Sequence, residues 1–144
     1  DALVDHITQF LLELGTGFSY VGRQYELKVG ESYFYLDLLF YHIKLHCYVV
    51  IELKTVKFEP SFAGQLKFYV TAVNKQLKSE LENPTIGIII CKSKDEVVAE
   101  YALEGIEQPI GITEYELSEV LNQEIKSSLP SIEEIESEMK NFEV

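Results

Sequence analysis

The chain has 144 residues, 47% of them hydrophobic, and a formal net charge of −12. That length supports one domain with a real core, and that apolar content excludes disorder by composition. No apolar run approaches the roughly 18 residues that span a bilayer and no signal peptide is visible, so no membrane association is expected.

Residues 2–14, ALVDHITQFLLEL, place Leu3, Ile7, Phe10, Leu11 and Leu14 at helical spacing, and Gly15 and Gly17 stop that helix. FSYVGRQYELKV, 18–29, is rich in aromatic and β-branched residues and predicts a strand. Gly30 and Glu31 make a turn into SYFYLDLLFYH, 32–42. IKLH, 43–46, then turns into a third strand over 46–54, which completes an antiparallel meander. Pro60 and Ser61 open a helix over 61–80 with Phe62, Leu66, Tyr69, Val70, Val73 and Leu77 as its apolar stripe. TIGIIIC, 85–91, is a short apolar run suited to a central strand. A helix from about Asp95 to Leu103 and a short strand near PIGITEY follow. Residues 131–143 predict a last, acidic helix. The order αβββαβαβ implies a mixed central sheet flanked by helices, an α/β domain on the border of α+β. The expected division is a domain over 1–130 and an acidic helix or tail over 131–144. The chain opens in helical character at Asp1 without Met, so it is expected to be a piece of a longer protein with a further N-terminal domain.

The third strand raises a chemical question. CYVVIELKTVK begins as a buried strand and then carries Glu52 and Lys54, which alternation puts on one face. The second strand repeats the oddity. Asp37 stands among apolar neighbours, and alternation groups it with Tyr33, Tyr35, Leu39 and Tyr41. A hairpin turn near 43–45 brings Asp37 close to Glu52 across the pair. Unpaired charges on a covered sheet face are costly, so such groups are paired, solvated or functional. Two carboxylates and a lysine at one spot suit metal-assisted phosphodiester hydrolysis. The carboxylates would hold Mg²⁺, with Mn²⁺ as the substitute, and the lysine would orient the attacking water or offset developing charge. The plain alternative makes Glu52 and Lys54 strand-end surface residues, since D…ExK is a short pattern.

The stretch YLDLLFYHIKLHCYVVIELK resembles the motif of the PD-(D/E)XK nuclease superfamily. FLLELG, FSYVGRQY, FEPSFAGQLKFYV, ENPTIGIIICKSKDEVVAEYAL and PIGITEYEL extend the resemblance over almost the whole chain, to the C-terminal nuclease domain of YhcG-type proteins. The resemblance implies a restriction-endonuclease-like fold and a metal-dependent nuclease acting on DNA, with Asp37, Glu52 and Glu13 as metal ligands. It implies catalytic roles for Lys54 and Gln65 beside them. Gln65 and Tyr69 form a Q-x-x-x-Y pair on one helix face, similar to RecB-type nucleases, which implies that Gln65 binds the nucleic-acid backbone or holds the site, with Tyr69 behind it. Leucine, not proline, precedes Asp37, a departure at a position that is not a ligand.

From the residues themselves, Lys57, Lys67, Arg23 and Gln24 are candidate phosphate contacts, and Tyr20 and Tyr25 are candidates for base stacking against a structural role. The overall charge argues against nucleic acid, but its distribution softens this. Residues 114–144 hold nine acids and two lysines, net −7, whereas 54–94 hold seven lysines and three glutamates, net +4. Cys47 and Cys91 lie in apolar runs without metal-type spacing and read as reduced core residues of a cytoplasmic protein. His6, His42 and His46 have no metal spacing. The alternative to an enzyme is a non-cleaving nucleic-acid-binding or assembly module of the same fold, which the intact Asp37, Glu52 and Lys54 weigh against. Base preference, RNA against DNA, cutting within a strand against cutting from its end (toward which the resemblance of Q-x-x-x-Y leans) and oligomeric state are not legible, although dimers are common among enzymes that cut both strands.

Overall fold

The computed structural model describes residues 17–114. The expected first helix with Glu13, and the expected acidic helix over 131–143, lie outside the described residues. Within them the order is β1 (Phe18–Val29), β2 (Ser32–His42), β3 (Cys47–Lys57), α1 (Pro60–Gln76), β4 (Ile86–Ser93), α2 (Glu96–Leu103) and β5 (Ile110–Glu114). The five strands lie side by side in sequence order. β1, β2 and β3 are antiparallel, while β3, β4 and β5 are parallel, each parallel step crossing through a helix. The result is a mixed sheet with two helices, an α+β domain, as the element order predicts.

Local chemistry explains the connections. Gly30, with φ +61°, stands first in the two-residue turn between Val29 and Ser32, where a II′ turn requires positive φ. The β2–β3 turn spans 43–46 as expected, and the Leu45 N–H donates to His42 Nδ1 at 3.0 Å. His42 is therefore a structural residue of this turn, packed edge-on against Phe18. Pro60 opens α1, where its missing N–H costs nothing. The Asp95 side chain caps α2 by accepting from the Val97 and Val98 N–H groups.

α1 buries Ala63, Leu66, Tyr69, Val70, Ala72 and Val73, close to the expected stripe. They meet Leu39, Val50, Ile89 and Cys91 of the sheet. The approach is close because Gly87 lies beneath: a Cβ there would fall 2.8 Å from Val70 and 2.9 Å from Leu66. Cys47 and Cys91 are free and buried, as expected. No helix among the described residues is long and apolar enough to cross a membrane.

Two expectations need correction. α1 ends at Gln76 rather than near 80: the Leu77 and Lys78 N–H groups both turn onto the Val73 carbonyl, and Ser79 bonds the Glu82 carboxylate instead of continuing the helix. β3 runs to Lys57 rather than 54, because parallel pairing with β4 continues to Lys57–Ser93. Glu52 and Lys54 are thus interior to the strand, not at its end.

Candidate active site

Ladder pairing between β2 and β3 runs from His42–Cys47 to Leu38–Ile51 and stops there. The next opposed residues are Asp37 and Glu52. Their carboxylates take over the backbone bonding at this fork. The Asp37 N–H donates to Glu52 Oε2 at 2.8 Å, and the Leu53 N–H donates to Asp37 Oδ2 at 2.8 Å. The two carboxylates expected to converge do so, each anchored on the other strand's backbone.

Strict alternation along β2 fails at this point. Leu39 joins the core beneath α1, and so do Leu36 and Phe34 on the other side of Asp37, with Phe34 against Phe68 and Tyr69. Residues 36 and 39 cannot share a face in a regular strand, so the phase slips across Asp37. β1 is irregular alongside: its register shifts between Tyr20 and Gly22, and Gln24 has a positive φ of 47°. The expected face of Tyr33, Tyr35, Asp37, Leu39 and Tyr41 is therefore interrupted. Tyr33 and Tyr35 are exposed.

Glu52 is only 3% exposed. Burial first, and then the Asp37 charge, push its carboxyl up to about 8. Burial also raises Asp37, against the opposing pull of the Leu53 N–H, the Lys54 ammonium and the Gln24 amide. A buried carboxylate beside a half-buried one resists ionising together with it unless a cation arrives.

Lys54 lies on the α1 side of β3. Its Nζ donates to Gln65 Oε1 at 2.8 Å and sits 4.8 Å from the centre of the Phe62 ring. Gln65 Nε2 in turn donates to Tyr69 Oη at 3.2 Å. Residues 62, 65 and 69 follow the helical period, so one face of α1 presents ring, amide and phenol to one lysine. Burial and the Glu52 and Asp37 charges push the Tyr69 hydroxyl up, keeping it a neutral hydrogen-bonding group. Of the two roles expected for Gln65, on the nucleic-acid backbone or holding the site, the second is the contact seen: Gln65 joins Lys54, with Tyr69 behind it. Lys54 has three N–H donors, of which one is used by Gln65.

Of the other candidates, Gln24 reaches the site, its Nε2 3.3 Å from Asp37 Oδ1. Arg23 pairs in register with Leu38, one residue from Asp37. Lys57 and Lys67 are exposed. The helical period puts Lys67 on the far side of α1 from Gln65. Tyr25 packs at the core edge, which is its structural reading. The role of Phe62 as a ring beneath Lys54 was not legible, since its place in the apolar stripe is sufficient reason for it.

No group of three or more His, Cys, Asp or Glu side chains converges among the described residues. The fit to a metal therefore rests on two carboxylates. That donor set suits Mg²⁺, which keeps several waters and takes one or two carboxylates plus substrate phosphate. The all-oxygen donors and the mutual repulsion of Asp37 and Glu52 both favour such a hard cation.

The chain is 38% identical over 117 residues to the YhcG protein of Escherichia coli (strain K12). The match takes in 81% of this chain and 31% of that protein, so the chain spans about a third of its relative. The fold is similar to EndoMS solved in complex with double-stranded DNA, with TM-score 0.56 and 21% identity over 78% of this chain and 44% of that one. It is similar also to a repair endonuclease from Pyrococcus abyssi, with TM-score 0.54 and 19% identity over 78% of this chain and 46% of that one. At such identities the two structures establish the restriction-endonuclease-like fold. The family model described as the YhcG PDDEXK nuclease domain matches residues 1–130, and the chain belongs to that family.

Proposed function

We propose that this domain is a divalent-metal-dependent nuclease that cuts phosphodiester bonds within DNA, with Mg²⁺ as its working ion and Mn²⁺ as a substitute. The observation that carries this reading is the fork at Asp37 and Glu52, with Lys54 held beside it by α1. Membership of a nuclease-domain family supports it, as does the DNA held by the structurally similar EndoMS.

Asp37 and Glu52 would hold the cation. The chemistry a cation supplies there is a more acidic bound water and withdrawal of charge from the scissile phosphate. Asp37 and Glu52 are set on paired strands whose backbone fixes their carboxylates before substrate arrives. Lys54 aims its remaining N–H donors at the attacking water or the phosphate oxygens, where developing negative charge is stabilised most. Gln65 and Tyr69 hold that ammonium in place, and the Phe62 ring under it limits its wandering. Arg23 and Lys57 supply phosphate contacts along the strand, with Gln65 at its reactive end; Lys67, across α1, does not. The partners we assign are DNA, a second copy of the chain for cutting both strands, and an N-terminal domain of the longer protein. We assign the nuclease domain to residues 1–130 and the protein's work to the cytoplasm.

The test is cleavage of three substrates with Mg²⁺: linear duplex DNA, covalently closed circular DNA and RNA of matched length. Cutting of the circle and the linear duplex, lost in Lys54→Ala and with EDTA, is expected. Cutting of RNA alone would overturn the substrate. Tight binding without cutting, unchanged in Glu52→Gln, would identify a binding module instead.

A further inference from the structure

Gln24 stands where a strand residue should not need a special backbone. It has φ 47° in the middle of β1, flanked by Arg23 and Tyr25, which pair in register with Leu38 and Leu36. The residue opposite Gln24 in that register is Asp37, and this one pair is missing from the ladder. The other non-glycine residue with positive φ among the described residues, His46, lies in the β2–β3 turn, where such a conformation is ordinary. A mid-strand glutamine in the left-handed region is disfavoured and persists only where its surroundings hold it. The kink turns its side chain onto the site: Nε2 lies 3.3 Å from Asp37 Oδ1, while Oδ2 of the same carboxylate accepts from the Leu53 N–H at 2.8 Å.

The geometry points to Gln24 as a positioning residue for Asp37. Its amide and the Leu53 N–H grip the carboxylate from opposite strands and fix its plane. Without the amide, the terminal torsion of Asp37 is broad and roughly two-fold. With it, one lone pair on each oxygen remains for a cation on the open side of the fork. Gln24 contacts neither the cation nor the substrate. Partners of this kind orient a ligand that is already charged and in place. This inference rests on the reading of Asp37 as a metal ligand.

Two variants separate backbone from amide. Gln24→Gly removes the amide and accepts the left-handed backbone without strain. Gln24→Asn also tolerates that backbone and keeps an amide, one methylene too short to span the gap. Mg²⁺ is titrated calorimetrically into wild type and both variants near pH 8, with thermal melts of the metal-free proteins and cleavage kinetics at saturating Mg²⁺. Both variants are expected to bind Mg²⁺ about 10- to 100-fold more weakly. The glycine variant should melt no lower than wild type, and kcat should fall while KM for DNA holds. If the glycine variant melts lower, the asparagine variant carries the comparison. Affinities within about twofold of wild type would overturn the role of Gln24 alone. If wild type itself binds no Mg²⁺, the metal-site reading fails and the role of Gln24 fails with it.

Discussion

Two parts of the sheet solve opposite problems. Where α1 crosses β4, Leu66 and Val70 settle onto Gly87 in apolar packing. At the β2–β3 fork, a few residues away on β3, ladder bonds are given up, a strand loses its phase, and a buried carboxylate faces a half-buried one. The first region buries apolar groups in close contact. The second breaks local rules at a cost in stability, and such concentrated exceptions mark functional sites. The contrast predicts that substitutions at the fork change activity more than stability, and that those at the α1–β4 contact do the reverse.

The largest effect belongs to Glu52→Gln. It keeps the shape of the fork and removes a metal ligand, so cleavage should fall on the order of 10³-fold or more. The melting temperature of the metal-free protein near pH 8 should rise, because a buried charge has gone; a fall in both would erase the contrast. Lys54→Ala should lower cleavage by about 10²-fold and leave Mg²⁺ affinity nearly unchanged, which single-turnover kinetics and calorimetry together would check.

The third prediction concerns pH. The Glu52 carboxyl titrates near 8 in the folded protein, above its ordinary 4.5, so the folded state holds this proton more tightly. Metal-free stability should therefore be fullest below about 4.5 from this group and decline as pH rises through 8. Cation binding needs the ionised form, so Mg²⁺ affinity should climb about tenfold per pH unit up to that point and then level off. Denaturant melts and titrations at several pH values read both, and a flat affinity profile would remove Glu52 from the ligand set.

On the packing side, Gly87→Ala should lower unfolding free energy by about 1–3 kcal/mol through overpacking against Leu66 and Val70. The folded fraction should still bind Mg²⁺. The smallest effect is expected for His42→Ala, about 1 kcal/mol from the lost bond to Leu45, with cleavage unchanged.

Much of this was legible in the residues. The turn at 43–46 and the alternation of β3 were enough to bring Asp37 against Glu52, because a short hairpin leaves few registers. The stripe on α1 was legible for the same kind of reason. Its end was not: Leu77 to Glu80 continue an acceptable helical pattern, and only the Ser79–Glu82 bonds reveal the turn. The slip of β2 was hidden because alternation is a rule about isolated strands, whereas this phase change falls where β2 parts from β3 beside the irregular stretch of β1. Gly22 was its one sequence signal, since glycine inside a strand often marks a bulge. The link from Lys54 to Gln65 crosses two elements and depends on how closely α1 approaches, a distance set by Gly87.

The central claim is that the Asp37–Glu52 fork is a cation site that drives phosphodiester cleavage. Its most direct test is calorimetric titration of Mg²⁺ into wild type and Glu52→Gln near pH 8, with cleavage of linear DNA followed in the same samples. The account predicts that wild type binds Mg²⁺ and cuts, while the folded variant does neither. A wild type that binds no Mg²⁺, or a variant that binds and cuts as well as wild type, would contradict it.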